Sequence, residues 1–142
     1  MLHDTELLQY VYKTTDMGCK GIQSVLDRAK SENLKSTLTQ QQREYAKLRD
    51  EARAILESKR EKPKGVSPVS KLSADMMTSL KMMTGRSDSK IAEMTIQGNQ
   101  LGITKTAKHL NNYSGGDETV RSLTKKLLET EEANAKQLQR FL

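Results

Sequence analysis

The sequence predicts an all-α protein, an antiparallel four-helix bundle with a short extra helix in the crossover between the second and third long helices. Three observations carry this reading. Apolar residues recur at three- and four-residue spacing in four long segments, the mark of helices that bury one face. The breaks after the first and third segments are short, whereas the passage between the second and third is long. Finally, only 35% of the 142 residues are hydrophobic and 4% aromatic, below the ~45–50% apolar content of typical globular chains. A broad two-layer sheet core does not fit such a composition. Long helices with wide solvated faces do, and the length suits one domain spanning residues 1–142.

The first helix is expected from about Asp4 to Ala29, with Asp4 or Thr5 as the N-terminal cap. Leu7, Leu8, Val11, Thr15, Gly18, Ile22, Val25, Leu26 and Ala29 share one face. Gly18 and Gly21 each cost up to ~1 kcal/mol against Ala inside a helix, so they point to close approach by a neighbour. Lys30-Ser31-Glu32-Asn33 is a polar break too short for anything but an antiparallel return. The second helix, about Leu34 to Glu61, carries Leu34, Leu38, Gln41, Tyr45, Leu48, Ala52, Ile55 and Leu56 on its stripe. Pro63 ends it, because the residue before a proline is pushed out of the helical region. A short amphipathic helix follows over 69–84, with Val69, Leu72, Met76, Leu80 and Met83 on one face and Gly85 as its stop. The third long helix runs over 88–112, capped by Ser87 or Asp88. Its apolar residues are Ile91, Met94, Ile96, Leu101, Ile103, Ala107 and Leu110, with Gly98 and Gly102 four apart. Ser114-Gly115-Gly116-Asp117 forms a turn and cap. The last helix, 118–141, buries Val120, Leu123, Leu127, Glu131, Asn134 or Ala135, Leu138 and Phe141.

Charge narrows the function classes. A formal charge of +6 and a pI near 9.4 invite a nucleic-acid reading. The distribution argues against it: residues 1–65 hold 13 basic and 10 acidic side chains and residues 66–142 hold 11 and 8, so each half carries +3. Lys and Arg alternate with Glu and Asp, the pattern of a solvated helix face rather than a phosphate-binding stripe. No apolar run approaches the ~18 residues of a membrane span. The start Met1-Leu2-His3-Asp4 lacks a basic region followed by an apolar one, and Cys19 is the single cysteine. A cytoplasmic, non-membrane protein is expected. One Cys and two His also exclude a disulfide, a Cys-rich zinc site and most three-histidine metal sites.

Chemistry is sought among polar residues on the buried stripes, since burying them costs free energy unless they are paired. Glu131 and Asn134 lie three apart on the fourth helix, and Gln41 and Glu44 three apart on or beside the second helix's stripe. In carboxylate-bridged di-metal bundles two helices each supply a Glu and two supply Glu-x-x-His. Here Asn134 stands where imidazole is needed, and Lys47 follows Glu44 at three. Gln41, Tyr45 and Lys105 are all candidate partners for a buried Glu131, and the sequence leaves the choice open. The methionines Met76, Met77, Met82 and Met83 offer soft thioether ligands, but at helical spacing they read as packing. His109 suits the C-terminal end of the third helix dipole, and His3 sits in the terminus. Lys20 would lower the Cys19 pKa if the thiol were exposed, yet nothing supplies a base beside it. No phosphate-binding glycine loop, HExxH motif or nucleophile elbow is present.

The whole chain resembles a ferritin-like, rubrerythrin-related family of small bacterial four-helix bundles. The resemblance rests on Leu2-His3-Asp4 and Asp16-Met17-Gly18 in the first helix and on Leu34-Lys35 through Gln42-Arg43-Glu44 in the second. It continues in Leu72 through Lys81, Thr84-Gly85 and Ile91 through Gly98. It implies a ferritin-like bundle with one crossover and a Glu-rich third helix. In this chain that region reads Met94-Thr95-Ile96-Gln97-Gly98-Asn99, so most carboxylates are missing. The carboxylates left as candidate metal ligands are Glu44, Glu93 and Glu131, for iron or manganese. The preferred expectation is a non-enzymatic bundle without a cofactor, structural or self-associating as a homo-oligomer. The alternative is a bundle binding a metal ion or a small apolar ligand around a degenerate di-metal site. Core positions such as Leu101 and Leu127 are expected to cost ~2–5 kcal/mol on truncation to Ala.

Overall fold

In the first helix of the chain, α1 (Asp4–Leu26), acidic residues Asp4 and Glu6 occupy the first turn, where the helix dipole favours negative charge. The computed structural model describes residues 2–65 and 87–142. The expected short helix over 69–84, its methionines and the Gly85 stop lie outside the described residues. The cap of α1 is His3 rather than Asp4 or Thr5: His3 is extended, and its backbone N–H donates to Glu6 Oε1 at 3.4 Å. The helix also stops three residues earlier than expected. Arg28 and Ala29 make tighter backbone bonds to Val25 and Leu26, while Ala29 stays buried.

The second helix, α2 (Glu32–Ser58), is capped by Ser31, whose side chain accepts from the Leu34 N–H at 3.3 Å. It ends before the expected Glu61, and the reason is local. Arg60 adopts a left-handed φ of 59°. Glu61 N–H then reaches back to the Leu56 carbonyl and Arg60 N–H to that of Glu57, a Schellman closure with arginine in the position glycine usually holds. Pro63 lies beyond this stop.

The third and fourth helices are α3 (Ser87–Asn111) and α4 (Glu118–Leu138), followed by a 3₁₀ turn, Gln139–Phe141. Asp117 caps α4 as expected, accepting from Thr119 and Val120 N–H groups. Asp88 does a different job from the expected cap. From the first turn of α3 its two carboxylate oxygens accept from the backbone N–H groups of Lys30 and Ser31, at 2.7 and 2.8 Å, and so fix the α1–α2 turn.

These ties set the topology. The start of α3 lies at the C-terminal end of α1, and its far end meets the N-terminus, where Leu2 and Tyr113 form an isolated bridge. Lys59, just after α2, sits 3.8 Å from Asp4 and 3.9 Å from Asp117, so α4 begins beside the start of α1. The chain therefore runs up, down, down and up. The end of α2 and the start of α3 therefore lie at opposite ends of the bundle, and the short links leave α1 packed on α2 and α3 on α4. The fold is an all-α four-helix bundle with one long crossover.

The stripes of α1, α2 and α4 lie as the sequence predicts: Leu7, Leu8, Val11, Leu34, Leu38, Leu56, Val120, Leu127 and Leu138 are fully buried. The stripe of α3 does not. Of its expected apolar positions only Ile91 is fully buried, and Leu101 is 46% exposed. The inward face of α3 instead runs through Ala92, Thr95, Asn99, Gly102 and Thr106, with Ala92, Asn99 and Thr106 buried. These residues recur at three and four, so the helical period holds. The face is built of small and polar side chains, which hydrophobicity does not mark.

Candidate functional site

Because small residues face inward on α3, the described residues leave the α1–α3 side of the bundle unfilled. Gly18 and Gly21 of α1 lie opposite Gly98 and Gly102 of α3 along a cleft of about 530 Å³. Met17, Ile22 and Leu101 contribute apolar walls, and Tyr10, Tyr45, Asn99 and Glu131 reach it from the interior. Among the described residues a Cβ built on Gly98 meets nothing within 4 Å. Gly18, expected with Gly21 to mark close approach of a neighbouring helix, serves another purpose, and so does Gly102. A Cβ on Gly18 would fall 2.9 Å from the Tyr45 ring, and one on Gly102 would fall 1.8 Å from Glu131 Oε2. Each glycine thus makes room for a side chain from another helix rather than for a neighbouring backbone.

Glu131 is 2% exposed. Its partner is none of the three candidates from the sequence: Thr106 donates its hydroxyl to Glu131 Oε1 at 2.6 Å. Thr106 has one hydroxyl proton, and with that proton on Glu131 the Tyr10 hydroxyl, 2.8 Å away, donates to Thr106. The Tyr10 ring is held by stacking on His109 at 3.7 Å between centroids. His109 in turn donates from Nδ1 to the Lys105 carbonyl at 2.8 Å. Burial pushes the Glu131 carboxyl from 4.5 up to about 7, with the Thr106 bond opposing that rise. At neutral pH it therefore exchanges between acid and anion. Burial raises the Tyr45 phenol as well, so it serves as a neutral donor.

Tyr45 donates to Asn99 Oδ1 at 3.1 Å. Asn99 is 6% exposed, and its Nδ2 has no hydrogen-bond partner among the described residues. Nearby in the same layer, Gln41 Nε2 donates to the Asn134 carbonyl and to Gln137 Oε1. Gln41 Oε1 is likewise without a hydrogen-bond partner among the described residues. Sequence reasoning found Gln41, Glu131 and Asn134 but passed over Asn99 and Thr106. Their spacing of seven on one face of α3 was the available signal.

The carboxylates singled out as metal ligands are dispersed. Glu131 lies at the cleft, Glu44 is half-buried on α2, and Glu93 is exposed and accepts from Lys90 at 3.2 Å. Among the described residues no group of three or more His, Cys, Asp or Glu side chains is placed to hold a metal ion. A donor set of one carboxylate, amides, a phenol and hydroxyls does not fit the di-metal centre the family resemblance implies.

Cys19 is buried and donates weakly to the Gln42 carbonyl at 3.6 Å. Burial raises its pKa, opposed by Arg49, and Lys20 pairs instead with Asp16 at 2.9 Å. A wider concavity between α2 and α4 carries Lys35, Arg43, Lys136 and Arg140. It is an open surface groove, and Arg140 bonds to Thr37 within it. No described helix is long and apolar enough to cross a membrane.

A bundle whose centre is a polar layer opening into an apolar cleft is thus the class the geometry defines. Residues 4–112 match a family described as a domain of unknown function (DUF2383), and the chain belongs to it. Among solved structures it is similar to the conserved hypothetical protein rv2844 from Mycobacterium tuberculosis, at 12% identity and a TM-score of 0.76, over 98% of this chain and 96% of that one. It is also similar to a DUF305 fragment from Deinococcus radiodurans, at 14% identity and a TM-score of 0.75, over 96% and 93% of the two chains. At such identities the likeness concerns the fold alone. No curated protein matches the sequence.

Proposed function

We propose that this chain is a non-enzymatic, cytoplasmic, ferritin-like bundle that binds a small, largely apolar molecule in the α1–α3 cleft. The observation that carries the reading is the cleft itself: a space of about 530 Å³, within the ~300–1,000 Å³ range of small-molecule sites. Apolar walls with a few inward polar groups are the usual design of such sites. Catalysis has less support, because the Thr106 hydroxyl beside Glu131 is fully buried and Cys19 is buried and bonded to the Gln42 carbonyl. The half-exposed Leu101 on the cleft rim favours a second reading, self-association as a homo-oligomer through this face.

Gly98→Leu separates the two. A leucine there has space for its Cβ, gains up to ~1 kcal/mol of helix propensity and fills the cleft. Propylbenzene added to the wild-type protein should shift the amide resonances of Gly18, Gly21, Gly98 and Gly102. In Gly98→Leu the shifts should vanish while the melting point holds or rises. Shifts that persist in the variant would sink the cleft reading. Concentration-dependent sedimentation abolished by Leu101→Ser would favour association instead. Iron or manganese retained at stoichiometry, and lost in Glu131→Ala, would revive the metal alternative.

A further inference from the structure

We propose that the cleft selects a neutral, hydroxyl-bearing apolar molecule, seated with its hydroxyl between Asn99 and Glu131 and its apolar body along Gly98, Leu101 and Met17. This deepens, and rests on, the ligand-binding reading above.

The argument is one of unfilled valences. Asn99 is 6% exposed, and Tyr45 has taken its Oδ1, leaving Nδ2 as a buried donor without an acceptor among the described residues. Such a group carries a desolvation cost that a ligand acceptor removes. Glu131 has given Oε1 to Thr106, while Oε2 lies over Gly102. Asn99 and Gly102 are three apart on α3, hence neighbours on one helical face. Both residues line the cleft with Glu131. Asn99 and the Glu131 carboxyl over Gly102 are therefore set about one helical turn apart along the cleft wall. A hydroxyl is the smallest group that answers both, accepting from Asn99 and donating to Glu131.

Other head groups answer less. A hydrocarbon leaves both groups unpaired. An ammonium has no lone pair for Asn99 Nδ2. A carboxylate accepts from Asn99 but sets a second acid against Glu131 in a buried site. The hydroxyl also tolerates either orientation of the Asn99 amide, because it can donate as well as accept. Buried water is the competing occupant of the same valences. A ligand hydroxyl replaces that water and adds the burial of its apolar body.

The test is a ranking of four probes of one shape on the full chain by titration calorimetry: propylbenzene, 4-propylphenol, 4-propylbenzylamine and 4-propylbenzoate. The phenol should bind about tenfold or more tightly than each of the others, the scale of one unmade buried hydrogen bond. In Asn99→Leu that advantage should fall to about threefold or less, while propylbenzene binding is kept. Equal binding of the phenol and propylbenzene in the wild type would overturn the hydroxyl assignment and leave the cleft reading standing. Tighter binding of the amine or the benzoate would overturn it too, in favour of Glu131 or of Lys20 and Lys105 at the rim. Binding of none of the four would remove the cleft reading and this inference together. Should Asn99→Leu fail to fold, the wild-type ranking decides alone.

Discussion

Replacing Glu131 by Gln should change how stability depends on pH, and the size of the change follows from the burial of one carboxyl. In the folded chain Glu131 holds its proton up to about pH 7, whereas its ordinary value is 4.5. Between those limits the folded state binds a proton that the unfolded state has released. The contribution is therefore fully present below about pH 4.5, lost as pH rises through about 7, and flat beyond. At about 1.4 kcal/mol per pH unit the interval amounts to about 3 kcal/mol. Gln is neutral throughout and its amide oxygen can still accept from Thr106. In urea titrations Glu131→Gln should exceed the wild type by about 3 kcal/mol at pH 8, with the gap shrinking to under about 1 kcal/mol at pH 5. Curves that run parallel from pH 5 to 8 would refute the reasoning, for the carboxyl would then not titrate there. A wild type more stable than the variant at pH 8 would mean that the buried anion is held favourably by a cation.

Two further outcomes test the packing. Gly102→Ala places a Cβ within 1.8 Å of the present Glu131 Oε2 position, so it should destabilise by ~1–3 kcal/mol as an overpacked site. In a Glu131→Ala background the same change should be neutral or gain up to ~1 kcal/mol; effects additive to within ~0.5 kcal/mol by denaturant unfolding would show that the two sites do not touch. Leu127→Ala, at a fully buried position, should cost ~2–5 kcal/mol. Leu101→Ala, exposed on α3, should stay within ~0.5 kcal/mol by the same assay.

How far the fold could be read from sequence depended on what each helix buries. α1, α2 and α4 bury leucines and valines at helical spacing, so their inward faces and the antiparallel pairs followed from hydrophobicity. The buried Gln41, Glu131 and Asn134 were legible for the same reason, as polar residues interrupting an apolar stripe. In α3 the reading failed because apolar and inward-facing residues separate. Ile91 is shared by both faces, but Leu101 points outward while Asn99 and Thr106 point in. The helix ends were misplaced by one to three residues, since Pro63 drew attention from a left-handed Arg60 that no residue type announces. The Thr106–Glu131 bond was invisible because the partner of a buried carboxyl depends on the rotation of the facing helix.

The misread face of α3 and the cleft have one cause. A helix that presents Thr95, Gly98, Asn99 and Gly102 to its neighbour cannot fill the space that leucines at those positions would fill. Against α1, whose facing residues include Gly18 and Gly21, the deficit becomes a cavity. Glycine also costs helix stability at each interior position, so α3 gives up both propensity and burial along this side. Gly18 and Gly102 recover part of that by admitting Tyr45 and Glu131, which hold the polar layer together. Gly98 recovers nothing within the described residues, since its vacant side meets no atom within 4 Å. Among the described residues Gly98 weakens its helix without admitting a side chain, which is why it is the position at which occupancy of the cleft and stability of the fold can be set against each other.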